Sequence, residues 1–541
     1  MRGLRAGLLL AAAATLATAL AGSVGASSPT APGAISSKRT VVPAKLAGGH
    51  ADVSTAVPSQ YECTATSGGA DTKLDCDDPF PNNEPNIFVD PANPLHMIGS
   101  SNDYGSCCDQ YYTTLDGGQT WSTGNMSTEP GGPTGSDPVT SFDSKHGVAL
   151  HSSLNYFFND NGDACNGDVV VSPSKDGGLT WKRPVVVHHG FGCDPDPTQL
   201  FNDKEWITTD NNPASPHYGR TYLTWTAFLS HDGVAVSAPI LEAHSDDGGK
   251  HWTKAQEISG SNPQLCTYHG GVPPSAGTGR CDIDQFSVPT VAPDGTVYVA
   301  FENSQNEKLW SPGELFDSQY LLVKSLNGGR TWSAPRFVVR LQDGTRDYPV
   351  NVDGRQTLTG YQVRVDSAGN IVASPKDGTL YLTFSDNRHG VHDSDNPVTN
   401  TDVFVMSSSD GGTSWTSPAV VDASKGDQWF PWVDVNPVTG TIGIVYNDRG
   451  RTNGRVYEAT LAEGVPGSFT TTMISTAPSD PTHSVYFKAG APGCEDCATF
   501  HGDYISVTYG SDGHANALWT DMRDFSPADG AFLQFVYYAR H

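Results

Sequence analysis

Basic residues are scarce in this chain: 32 Lys and Arg stand against 59 Asp and Glu in 541 residues, a formal charge of −27. That excludes nucleic acid and anionic membrane as partners, because both are held by a basic footprint. Long apolar runs are missing too. The one candidate, from Leu8 to Leu20 behind Arg2 and Arg5, is too short and too alanine-rich to span a bilayer. With Val24 and Ala26 in the small-residue cleavage pattern, residues 1–26 read as a secretory signal peptide, and the expected location is extracellular. No stretch keeps a helical period, which argues against α-rich folds. Phosphate-cradling glycine loops, the nucleophile elbow and HExxH are absent as well, so nucleotide, serine-hydrolase and zincin chemistry have no anchor in the sequence.

Cysteine is present, ten in all, an even number that suits an oxidising compartment and up to five disulfides. Sequence proximity suggests Cys63–Cys76, Cys165–Cys193, Cys266–Cys281 and Cys494–Cys497, with Cys107 and Cys108 bridged to each other or elsewhere. Residues 27–60 are rich in Ser, Pro, Ala and Gly and read as a flexible leader. Residues 61–541 read as one domain.

A six-residue turn recurs. "TLDGGQTW" ends at Trp121, "SKDGGLTW" at Trp181, "SDDGGKHW" at Trp252, "SLNGGRTW" at Trp332 and "SSDGGTSW" at Trp415. Spacings of 60, 71, 80 and 83 residues suit four-stranded propeller blades carrying loops. Gly-Gly permits positive φ, the Asp or Asn side chain accepts backbone N–H groups across the turn, and the Trp ring packs between sheets. Five equivalent turns point to scaffold, since catalysis needs one asymmetric constellation.

These repeats resemble the Asp-box, or BNR, motif of sialidase-type β-propellers. The resemblance implies an all-β propeller of four-stranded antiparallel blades. Seven strand–turn–strand units, beginning near residues 85, 137, 204, 286, 361, 429 and 503, predict seven blades, with six as the alternative. The seventh unit lacks an outer strand, and the leader, "RTVVPA" (39–44) in particular, is expected to supply it. The Asp-box turns fall at one face. The starts of the innermost strands and the ends of the second strands fall at the other, around the channel.

That second face collects the candidate chemistry. Asp103, Glu205, Asp284, Asp427, Asp503 and Tyr504 are the candidate catalytic groups, among further acids at equivalent positions such as Glu84, Asp137 and Asp203. Arg388, Arg449 and Arg523, in "FSDNR", "VYNDR" and "LWTDMR", form the candidate substrate clamp, because guanidinium forks match a carboxylate or sulfate. The alternative is that each arginine pairs with an acid on the next blade, as a repeated scaffold bridge. No metal ligand set is recognisable and no cofactor is expected, apart from a structural calcium.

The resemblance implies a carbohydrate partner, a monomeric protein, and an exo-glycosidase acting on acidic glycans. The chain departs from sialidases at the first strand, where "NEPNIF" replaces the Arg-Ile-Pro motif. A polysaccharide lyase on uronic-acid chains and a non-catalytic glycan- or protein-binding propeller stay open.

Overall fold

Strands form where β-branched and aromatic residues alternate with small polar ones, as in Tyr222-Leu-Thr-Trp-Thr226, and Gly-rich turns separate them. A computed structural model of the chain describes residues 63–541, apart from 67–69, 76–80, 105–107, 161–162, 194, 269–278, 311, 315–316, 351–354, 362, 453, 455, 482–499 and 528–530. The leader and the 39–44 segment therefore lie outside the described residues.

The strands build seven antiparallel blades. Each begins at the axis and steps outward through four neighbouring strands. In the first blade these are Asn82–Asp90, Asn93–Asp103, Asp109–Thr114 and Thr120–Asn125, with Cys63–Thr66 added outside as a fifth. The other innermost strands are Thr134–Asp143, Thr198–Thr209, Asp284–Val291, Ile371–Ala373, Gln428–Val435 and Ser506–Tyr509. The seventh blade runs outward through Ala515–Asp521 and Phe535–Arg540, and its fourth strand is Thr72–Lys73.

The ring thus closes with an N-terminal strand, as expected, but from residues downstream of the leader. Thr72 pairs with Tyr538 and Lys73 with Tyr537. Asp75 accepts the Val536 N–H at 2.7 Å, and Asp71 accepts Arg523 Nη1 at 2.8 Å. These charge-assisted bonds tie the first described residues to the last.

The five Gly-Gly-Trp turns lie at the opposite face from the starts of the innermost strands. Each seals the seam to the preceding blade. Thr113 donates to Gly178 O at 2.7 Å, Arg220 to Gly328 O at 2.6 Å, Lys324 to Gly411 O at 2.8 Å and Arg540 to Gly117 O at 3.2 Å. The third turn packs Gly248 against His146 and Val148. Within a turn, Asp116 Oδ1 accepts Thr120 N at 2.9 Å, and Gly118 N donates to Thr114 Oγ1 at 3.0 Å. Gly118 has φ 87°, and a Cβ there would lie 2.4 Å from the Tyr538 ring. Backbone conformation and close packing therefore both require glycine. Trp121 is fully buried, 4.8 Å from the Tyr538 ring, and Trp181 is buried between Tyr111 and His151. Trp252, Trp332 and Trp415 are only half-buried, so the five rings are not equal packing elements.

The described disulfides, Cys165–Cys193 and Cys266–Cys281, match two of the expected pairs and tie loops at the other face. Cys108 is also disulfide-bonded. The expected Cys63–Cys76 and Cys494–Cys497 pairs involve residues outside the described set.

Candidate active site in the channel mouth

The innermost strand of five blades carries the same irregularity. Register shifts lie between Asn83 and Asn86, Ser136 and Val139, Asp203 and Trp206, Gln285 and Val288, and Trp429 and Trp432. At each bulge one non-glycine residue has a left-handed backbone: Glu84 (φ 56°), Asp137 (58°), Lys204 (56°), Phe286 (55°) and Phe430 (54°). Such a conformation costs of order 1–3 kcal/mol per residue and persists where the surrounding fold over-determines it. Bulges re-aim side chains. Here Lys204, Phe286 and Phe430 line a narrow void on the axis together with Asp503.

Below that level the channel is plugged. Trp206 and Trp432 lie 4.4 Å apart, centroid to centroid, and Tyr504 meets Trp206 at 5.4 Å. A cavity of about 510 Å³ opens beneath the plug, toward the face of the Gly-Gly-Trp turns, lined largely by backbone-matched Thr, Val, Ile and Pro. Above the plug the lining is charged. The two halves of one channel are chemically unlike.

The charged half holds Glu84, Asp137, Asp203, Lys204, Glu205, Arg355, Arg364, Asp366 and Asp503, joined by mutual electrostatics. Asp503 ion-pairs with Arg364. Burial alone would raise its pKa, but Arg364, Lys204 and Arg355 outweigh that and hold it below the usual carboxylate range. Glu84 is the counterpart. It accepts the Asp503 backbone N–H at 2.9 Å and the Asn102 amide at 2.9 Å, yet burial, then repulsion from Asp137, pushes it up to about 8. Asp137 is pushed to about 7 by burial and Asp203, and Glu205 well upward by burial and Asp137. The Lys204 ammonium lies 3.4 Å from the Tyr504 ring centroid and makes no hydrogen bond among the described residues. One carboxyl thus has its pKa lowered amid several whose pKa is raised.

The structure brings Glu205 and Asp503 into this charged cluster and Tyr504 into the aromatic plug just beneath it. Tyr504 is not an activated phenol there: burial, then Glu84, holds it protonated. Asp103 ends a second strand, Asp284 opens an innermost strand and Asp427 directly precedes one, each engaged by a partner of its own. Asp103 accepts Asn125 at 2.8 Å, Asp284 accepts Asn303 at 2.6 Å, and Asp427 accepts the Thr401 N–H at 2.7 Å.

The three-arginine clamp does not form. Arg388 forks onto Asp386 at 2.8 and 2.6 Å and lies 4.4 Å over Phe404. Arg523 forks onto Asp521 at 3.0 and 2.6 Å, 4.1 Å over Tyr537. Arg449 pairs with Asp427, donates to Thr359 O at 2.8 Å and covers the Tyr361 ring. Each guanidinium is spent on an acid of its own blade, not on one of the next blade as the scaffold-bridge alternative had it, so the fork that would read a ligand is already satisfied.

Sequence reasoning missed Lys204, Arg355 and Arg364. Lys204 carried a signal, a lone base among acids in "NDKEW" at a strand start. Arg355 and Arg364 lie in the long loop before the short fifth inner strand, where no repeat marks position.

No family model matches the chain, and no curated protein matches it. Among solved structures, the Fusarium graminearum GH93 α-L-arabinofuranosidase in complex with arabinobiose is similar at TM-score 0.45 and 12% identity, over 70% of this chain and 93% of that one. The NanB sialidase of Streptococcus pneumoniae is similar at TM-score 0.41 and 10% identity, over 82% and 83%. A Dyadobacter fermentans protein of unknown function is similar at TM-score 0.42 and 11% identity, over 75% and 94%. At such values the function of this chain rests on its own residues.

Proposed function

We propose that this protein is a secreted, glycan-active propeller that hydrolyses terminal residues of acidic glycans at the channel mouth. The observation that carries the proposal is the divergence of two residues joined by the Asp503 N–H to Glu84 bond, the Asp503 carboxyl shifted down in pKa and the Glu84 carboxyl shifted up. Paired acids whose surroundings push their pKa values apart are suited to divide the two jobs of glycoside hydrolysis. Glu84 donates its proton to the leaving oxygen. Asp503 attacks the anomeric carbon or takes a proton from the attacking water. Lys204, Arg355 and Arg364 supply the positive charge that favours an acidic sugar, in place of Arg388, Arg449 and Arg523. The sequence resemblance of the five turns to the Asp-box motif supports the glycan assignment. The substrate approaches from the side of Arg355, Arg364 and Asp366, the half-buried members of the cluster.

A second reading, a glycan-binding propeller without turnover, is favoured by one observation: Glu84 is 2% and Asp503 6% exposed. The lyase alternative is weakened because its Tyr504 base is held protonated.

The test is a panel of acidic and neutral glycans read by product mass and anomeric configuration. Release of a hydrated terminal acidic sugar is expected. Retained configuration assigns the attack to Asp503, and inverted configuration assigns it to water. Binding without product supports the second reading, and an unsaturated product overturns the hydrolase.

A further inference from the structure

A second constellation lies apart from the channel mouth, on the loops between the fourth and fifth blades. Glu314, Asp347 and His392 offer three ligand atoms within 4.8 Å of one another. They come from three separate segments: the loop between Val297–Asn303 and Gln319–Ser325, the loop after Arg336–Arg340, and the loop after Leu380–Asp386. Asp347 is fully buried and Glu314 is 4% exposed, while His392 is half-exposed. His392 Nδ1 meets Asp347 Oδ1, and the Gly344 N–H binds Asp347 Oδ2 at 2.7 Å.

Glu314 is the unexplained member. Its Oε2 accepts the Arg346 N–H at 3.1 Å. Its Oε1 makes no hydrogen bond among the described residues; Arg346 Nε lies 4.0 Å away and is itself buried without an acceptor. The Glu314 carboxylate is thus nearly buried with one of its two oxygens hydrogen-bonded. Two nearly buried carboxyls and an imidazole thus converge on one point, where a divalent cation would offset the repulsion between the carboxylates. The Arg346 guanidinium opposes this, but two of its nitrogens are committed to Pro312 O and His392 O, where they brace the loops that carry the ligands.

We propose that Glu314, Asp347 and His392 form a divalent metal site that staples these three loops. One imidazole with two carboxylates favours a borderline first-row ion such as Zn²⁺ over Ca²⁺, which takes oxygen ligands. Three protein ligands leave the remaining position to water. The site is independent of the proposed hydrolytic centre and stands or falls separately from it.

The test uses the full chain, stripped with a chelator and then titrated with Zn²⁺ alone, with Ca²⁺ as a second probe, read by calorimetry and elemental analysis. One equivalent of Zn²⁺ is expected, with a rise in Tm and little response to Ca²⁺. His392→Gln and Glu314→Gln should each weaken binding at least about tenfold, since even partners of metal ligands typically contribute 10–100-fold. His392 is half-exposed, so its variant folds and decides the matter if Glu314→Gln does not. No stoichiometric binding, or binding that His392→Gln leaves unchanged, overturns the proposal; so does preference for Ca²⁺.

Discussion

The two faces of the disc are built from the same strands and differ in symmetry. At one face five turns repeat a single hydrogen-bond pattern and lock each blade to the one before it. At the other, five equivalent bulge positions carry four different residue types: Glu84, Asp137, Lys204, and Phe286 with Phe430. Repetition solves a problem posed once per blade, the seam. Chemistry needs groups that differ around a point, so it belongs where the repeat is broken. The left-handed bulge is the device that converts a regular ring into an irregular site.

The comparison makes predictions that rank by size. The largest concerns the irregular face. Asp503→Asn should lower kcat on an acidic glycan by roughly 10²–10⁴-fold, the range for a positioned proton-transfer or nucleophilic group. Its fold, followed by far-UV circular dichroism, should persist. Full activity in this variant would remove the mouth as the reacting centre.

The next concerns the regular face. Trp121→Ala should cost about 3–5 kcal/mol in denaturant unfolding, because a fully buried ring is deleted. Turnover per folded molecule should be unchanged. Loss of activity without loss of stability would reverse the roles assigned to the two faces.

The smallest is a slope that the two faces should show with opposite sign. Glu84, raised in the fold from 4.5 to about 8, binds a proton in the native state that the unfolded chain has released, so its stabilisation is complete below 4.5 and is lost as pH rises toward 8. Asp247 in the third turn is the reverse case. Burial raises its pKa, but bonds from His251 and Ser245 outweigh this and lower it from 3.8 to about 2, so its contribution holds above 3.8 and fades as pH falls to 2. Asp247 is partly exposed, which screens the effect. Urea unfolding across pH should therefore show an alkaline decline of up to about 1.4 kcal/mol per pH unit for one group, and Glu84→Gln should flatten it. An alkaline limb that survives this substitution would assign the slope to other acids.

How much was legible follows from locality. The Gly-Gly-Trp turns were readable because each is closed by bonds spanning four residues, such as Thr120 to Asp116, and the pattern repeats in the chain. Blade count and the face on which the Gly-Gly-Trp turns lie followed from counting strands. The arginines failed for a related reason. Arg388 and Arg523 repeat because each forks onto the acid two residues before it, so their recurrence marked a local bridge rather than a ligand clamp. The closing strand was expected in the leader but lies at Thr72–Lys73, a two-residue segment with no periodicity to announce it.

By itself the sequence determined the seven-bladed ring, the orientation of the turns and two of the disulfides, all consequences of short-range patterns repeated along the chain. Only the tertiary structure decided which acids meet. Asp503 and Glu84 are 419 residues apart and become neighbours because the ring closes. Their opposite protonation depends on Arg364, Lys204 and Asp137, which arrive from three other blades. Electrostatic coupling acts through space in a desolvated mouth, and nothing in a linear spacing encodes it.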